Sequence, residues 1–174
     1  MSKFNFTEYM HNVAVNLKEV SHIDDDPNNH RFFRASSVAN VEEIIQALPE
    51  FKGFALVVED NEEGNYMHNT SGTIFDNQMC GFFMLSKAAN LDAVDRGLKI
   101  KHAELVMRKI ISKLRKDYNT DNAGKTDIGL RNIDWDSLRY FSFGPVIDNC
   151  YGVYCNFGNP TLQTYIFNTD DWNE

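Results

Sequence analysis

One stretch, Asn90 to Tyr118 (NLDAVDRGLKIKHAELVMRKIISKLRKDY), constrains the fold more than any other, because it is the longest segment with a single period. From Ile100 onward, Ala103, Met107, Ile110, Leu114 and Tyr118 recur at helical spacing, and Val106 and Ile111 widen the stripe. The spacing predicts a long amphipathic helix. Asn90 is placed to cap its N-terminus. Asp92 and Asp95 follow in the first turns and Lys113, Arg115 and Lys116 in the last, which is the charge order that the helix dipole favours. A helix with one broad apolar stripe needs a sheet or further helices to cover it.

The same stretch concentrates positive charge. It holds eight Lys or Arg against four Asp or Glu, a local +4, in a chain whose formal net charge is −8, so the remainder carries −12. An acidic total disfavours a general nucleic-acid binder, since phosphate neutralisation supplies most of such affinity. Cations on one helix of an otherwise acidic body suit head-to-tail docking with further copies, or an oppositely charged partner; a merely solvated helix face is the plain alternative. With 174 residues and 43% hydrophobic content, a single domain over residues 1–174 is expected, large enough for a core without staples. The start, MSKFNFTEYMHN, lacks a secretory pattern and no run is long and apolar enough for a membrane span, so a location in the cytoplasm of its origin is expected. Cys80, Cys150 and Cys155 include no CxxC pair and read as reduced, buried thiols.

In chain order, Phe6, Tyr9, Met10, Val13, Ala14, Leu17 and Val20 predict a first helix. SHIDDDPNNH breaks it, and RFFRA reads as a short strand or an extended arm, giving an N-terminal helix and arm over about residues 1–37. Val38, Val41, Ile44, Ile45 and Leu48 predict a second helix that stops at Pro49. FKGFALVVE is a β-rich run, and Tyr66 to Leu85 holds further strands around turns at Ser71-Gly72 and Asp76-Asn77, with Gly81 to Lys87 the central one. NTDNAGKTDIG reads as an exposed loop. LRYFSF, CYGVYCNF and LQTYIF then form a meander parted at Gly144-Pro145 with Asp148-Asn149 and at Gly158-Asn159-Pro160, with Tyr151, Val153, Cys155 and Phe157 on one face and Tyr154 and Asn156 on the other. The fold class is α+β: a mainly antiparallel sheet of five to six strands, with two or three helices packed on it and one long central helix.

Candidate chemistry is sparse. Gly124-Lys125-Thr126 lacks the earlier glycine and the strand-loop-helix setting of a phosphate-binding loop. Asp24, Asp26 and Asn28 alternate as in a calcium loop, but Asn29 and Ala35 stand where its glycine and bidentate glutamate belong, so a solvated acidic turn is expected. His11, His22, His30, His68 and His102 show no paired metal spacing and no nucleophile elbow accompanies them, so no catalytic, cofactor or metal residue is assigned and an enzyme is not expected. Asp134-Trp135-Asp136 reads as a turn with a tryptophan anchor. Trp172, close to the chain end, reads as resting on a partner.

The order of elements resembles the tail-completion and tail-terminator proteins of tailed bacteriophages. The stretches that carry it are ALPEFKGFALVVED, GFFMLSKAANLDAVDRGL, HAELVMRKIISKLRKDY and YGVYCNF, within about residues 38–167. The resemblance implies a structural virion protein, made in the host bacterial cytoplasm, that forms a homo-oligomeric ring at the neck or tail end and touches other neck, portal or tail proteins. It implies no cofactor or membrane, and nucleic acid only in passage through the ring. Lys109, Lys113, Arg115, Lys116 and Trp172 would then be interface residues, with the loop Asp121 to Gly129 a further contact. An acidic protein-binding module, of the immunity or anti-restriction inhibitor type, is the other reading of the same charge pattern.

Overall fold

In the computed structural model, which describes residues 4–48, 53–60, 64–68, 74–87, 93–146 and 149–162, three helices enclose a six-stranded sheet. The elements are α1 (Phe6–Asn16), β1 (Phe32–Ala35), α2 (Val38–Ala47), β2 (Ala55–Glu59), β3 (Gly64–His68), β4 (Ile74–Lys87), α3 (Ala93–Asn122), a 3₁₀ turn at Leu130–Asn132, β5 (Asp134–Val146) and β6 (Cys150–Leu162). The sheet order is β1-β2-β4-β6-β5, with β3 beside the first half of β4. Among the described residues only β1 and β2 run parallel and the other pairs are antiparallel, as expected of an α+β fold.

Capping chemistry starts the two shorter helices. Asn5 accepts the Glu8 amide at 3.1 Å to open α1, and Ser37 accepts the Asn40 amide at 3.2 Å to open α2. α1 ends at Asn16, short of Val20, because the chain turns away to meet the sheet: the Glu19 carbonyl accepts the Phe54 amide at 3.0 Å. Val20 is still fully buried, so its helical spacing is met by a turn. The segment read as an N-terminal helix and arm is built into the sheet and core. Phe6, Met10, Val13 and Ala14 are buried against α3 and the sheet, and β1 is a paired strand.

The long period folds as α3. Ala103, Val106, Met107, Ile110 and Leu114 are each at most 1% exposed, with Ile111 and Tyr118 half-buried beside them. Burying side chains of this size contributes about 1.5–3 kcal/mol each for the larger ones. They meet Cys80, Phe82 and Met84 of β4 and Val153, Cys155 and Phe157 of β6, so α1 and α3 cover one face of the sheet. The predicted cap, Asn90, lies outside the described residues.

α2 covers the other face. Val41, Ile45 and Leu48 pack on Ala35, Ala55, Val57 and Leu85. Two parallel strands need a crossover, and α2 is that crossover, from β1 to β2. Consequently β2 is covered on both sides, with Leu56 and Val58 facing α1 and α3 while Ala55 and Val57 face α2. This is why FALVVE reads as a continuous apolar run without alternation.

Four expected turns lie within strands. Asp76 and Asn77 lie within β4, paired with Tyr66 and Asn65 on one side and with Thr161 and Pro160 on the other. Two flanking ladders supply the backbone partners that would otherwise favour a turn there. Gly158-Asn159-Pro160 likewise continues β6; β5 reaches only as far as Gly158, so the missing N–H of Pro160 removes no bond to β5. At Gly144-Pro145 strand β5 shifts register and Gly144 adopts φ 126°, a bulge in place of a turn. Trp135 is strand, not turn, and its ring meets Tyr118 edge-on at 5.5 Å. LQTYIF beyond Leu162 and the turn at Ser71-Gly72 lie outside the described residues.

Candidate functional site

The outer face of α3 points away from the sheet. Leu98 and Leu105 stand two turns apart on that face, 59% and 58% exposed, and Val94, one turn earlier, is 70% exposed. Lys101, Arg108, Arg115 and Lys116 are exposed on the same side, so the helix presents apolar side chains flanked by cations. The core stripe of Ala103, Met107, Ile110 and Leu114 lies on the opposite side, as the 3.6-residue turn requires.

The cations proposed as interface residues divide into two pairs. Lys109 forms an ion pair with Glu19 and Lys113 one with Asp117, while the Lys113 ammonium also sits 5.9 Å from the Tyr9 ring centroid. These two lysines stitch α3 to the α1 end of the molecule. The Lys109 ammonium also holds the Glu19 carboxyl below its ordinary range through their hydrogen bond. Burial, followed by its donation to Asp117 at 2.8 Å, pushes the Tyr9 hydroxyl well above the usual tyrosine value. Arg115 and Lys116 remain on the exposed side, beside Ser112, Asn119, Thr120 and Lys125. Trp172 lies outside the described residues.

The loop read as exposed has a buried anchor. α3 runs on to Asn122, and Asp121 within its last turn is 0% exposed. Its carboxylate accepts the Thr126 hydroxyl at 3.0 Å, the Ile128 amide at 3.1 Å and the Leu130 amide at 3.0 Å, and lies 3.6 Å from Arg131 Nε. Burial alone would raise this carboxyl; the donors from Ile128 and Thr126, the Arg131 charge and the Leu130 amide outweigh it and hold it low. Gly124 follows the helix at φ 70°, so Gly-Lys-Thr ends a helix and forms no phosphate cradle.

A second site was not legible in the residue spacing. His11 on α1 and His22 and Asp24 in the following loop come together in a cleft of about 650 Å³, which Thr7, Arg34 and Asp60 also line. His11 Nε2 is 2.8 Å and His22 Nε2 2.9 Å from the same oxygen, Asp24 Oδ1. His22 is 2% exposed, and its Nδ1 accepts the Arg31 amide at 3.0 Å. That bond leaves the neutral ring's proton on Nε2, donated to Asp24. The hydrogen bond from His11, then that from His22, lowers the Asp24 carboxyl below its ordinary value. The rings pack edge-on, His11 on His22 at 5.4 Å and on Phe32 at 5.1 Å, with His30 4.8 Å from His22.

Asp24 therefore belongs to a polar cluster, where the sequence suggested a solvated turn. Asp26 does not join it, since its carboxylate accepts the Asn28 amide at 2.9 Å and Asn29 Nδ2 at 2.6 Å, closing its own turn. Among the described residues, His11, His22 and Asp24 form the one group of three or more potential metal-ligating side chains, their ligand atoms all within 4.8 Å of one another. The sequence hint was the pair His22-x-Asp24; the fold supplied His11. Tyr154 and Glu59 meet separately on the α2 side of the sheet at 2.7 Å, over Gly81, where a Cβ would lie 1.7 Å from the Glu59 carboxylate. No helix among the described residues is long and apolar enough to cross a membrane. No protein-family profile matches the chain, and neither does any curated protein.

Proposed function

We propose that the chain is a structural assembly subunit that binds further copies of itself through the outer face of α3, in the ring-forming virion role that the phage resemblance implies. The observation that carries this reading is the exposed Leu98 and Leu105 pair flanked by Lys101, Arg108 and Lys116. Exposed apolar side chains rimmed by charge are the usual make-up of a protein-binding surface. The rest of the chain is acidic, so the facing surface of the next copy offers complementary charge. Head-to-tail contacts of this kind generate closed rings when the rotation between copies closes. The ring would stand at the neck or tail end of the particle, against other neck, portal or tail proteins.

Mass in solution tests it. The full chain should run as a defined multiple of 20.0 kDa by light scattering, and the double variants Leu98→Glu with Leu105→Glu and Arg115→Glu with Lys116→Glu should run as monomers with unchanged helix content. A wild-type monomer at high protein concentration overturns the assembly reading. Tight one-to-one capture of a basic enzyme by that monomer would instead identify an acidic inhibitory module.

A further inference from the structure

We propose that His11 Nε2, His22 Nε2 and Asp24 Oδ1 form a binding site for a divalent transition-metal ion of the zinc class. Two imidazoles and one carboxylate suit zinc, cobalt, nickel or copper; calcium and magnesium call for oxygen sets. The two nitrogens stand 2.8 and 2.9 Å from the shared oxygen. Zinc bonds of about 2.0–2.2 Å in a tetrahedron place neighbouring donors roughly 3.3 Å apart. The two nitrogen–oxygen distances thus need to open by only a few tenths of an ångström, and the three ligand atoms already lie within 4.8 Å of one another. His11, with a side chain 32% exposed, and Asp24, 62% exposed, have room to move, whereas His22 at 1% is fixed. The remaining coordination position faces the cleft, which gives the ion an entry path and leaves a place for water.

The hydrogen bond behind His22 makes the site conditional. A ligating histidine ordinarily donates its other ring N–H to an acceptor. In this chain His22 Nδ1 accepts the Arg31 amide, so a metal at Nε2 moves the ring proton to Nδ1 and sets it against that N–H. Ligation by His22 must release the Arg31 amide, immediately before β1. No such bond holds Nδ1 of His11 among the described residues. His11 and Asp24 therefore take the ion first, and completion by His22 is coupled to the backbone at the sheet edge. This inference stands independently of self-assembly.

The test uses the full, tag-free chain. Titration with ZnCl₂ by calorimetry, and with CoCl₂ by visible absorption, should give saturable one-to-one binding, and MgCl₂ should give none. His11→Gln, at a half-buried position, and Asp24→Asn, at an exposed one, both checked for fold by circular dichroism, should each weaken zinc at least tenfold. The Arg31 amide resonance should shift on saturation. Absence of one-to-one binding up to about 1 mM zinc, an affinity too weak to matter, overturns the proposal, as does binding that survives both substitutions. Binding with an unmoved Arg31 resonance overturns the coupling.

Discussion

Replacing Asp121 by alanine should be among the most damaging single changes at the edge of this fold. The carboxylate is fully buried and receives three hydrogen bonds, one from the Thr126 hydroxyl and two from the amides of Ile128 and Leu130. Hydrogen bonds to a charged group contribute about 1.5–3 kcal/mol each. Water can reach exposed Thr126 and Ile128 once the carboxylate is gone, but the Leu130 amide is buried and Arg131 loses the nearer of its two carboxylate partners, keeping Asp127 at 4.0 Å. The bond to the Leu130 amide is lost outright and water replaces the other two only in part, so at about 1.5–3 kcal/mol per bond we take about 4 kcal/mol in all. Against a total stability of about 5–15 kcal/mol this is a large fraction. At about 2–4 °C per kcal/mol for a chain of this size, Tm should fall by about 8–16 °C. Asp121→Asn keeps one acceptor oxygen and should lose about half as much.

The pH dependence gives a sharper check. The folded-state carboxyl of Asp121 is held below its ordinary value, so its contribution is present above the unfolded value of about 3.9 and is lost as pH falls through the folded value beneath it. The gap in stability between wild type and Asp121→Ala, measured by urea unfolding, should be constant from about pH 5 to 7 and narrow below about pH 4. A loss under about 1 kcal/mol, or an equal gap at pH 3 and pH 7, would refute the reasoning that this carboxylate ties the loop to α3.

Two glycines should respond in opposite directions. At Gly152, paired with β4 on one side and β5 on the other, a Cβ would stand 2.2 Å from the Met84 carbonyl oxygen, so Gly152→Ala should destabilise by about 3 kcal/mol or more. At Gly97 in α3 nothing lies within 4 Å, so Gly97→Ala should stabilise by about 0.5–1 kcal/mol; thermal unfolding of both variants settles the contrast. Burial pushes the thiols of Cys80 and Cys155 up to about 12 and that of Cys150 to about 11. All three should resist a thiol reagent at pH 8 in the native chain and react together in denaturant; fast native labelling of any one would contradict its buried position. Zinc binding and the mass of the Leu98 and Leu105 double variant complete the set.

Much of the fold was legible because it depends on neighbours along the chain. The core stripe of α3 could be listed residue by residue from its period, and the alternation of Tyr151, Val153, Cys155 and Phe157 placed them on the buried face of β6. Asp76-Asn77 and Gly158-Asn159-Pro160 favour turns in isolation, but the ladders beside them hold them extended: β3 and β6 flank the first, and β4 runs along the whole of the second. The placement of α2 on the opposite face was hidden for a related reason, since it follows from β1 and β2 being parallel. Among the cations proposed for the interface, residue type alone could not separate Lys109 and Lys113, which form ion pairs with Glu19 and Asp117, from Arg115 and Lys116 on the outer side of α3.

Periodicity, capping and charge order are properties of a few successive residues, so the amino-acid sequence alone determined where the helices lie, which side of α3 enters the core, and that positive charge collects there. The tertiary structure alone decided which strands are neighbours and that His11 of α1 meets His22 and Asp24 of the next loop around one oxygen. Such meetings depend on how distant segments pack, and that is set by the joint burial of the whole core, which no local pattern encodes.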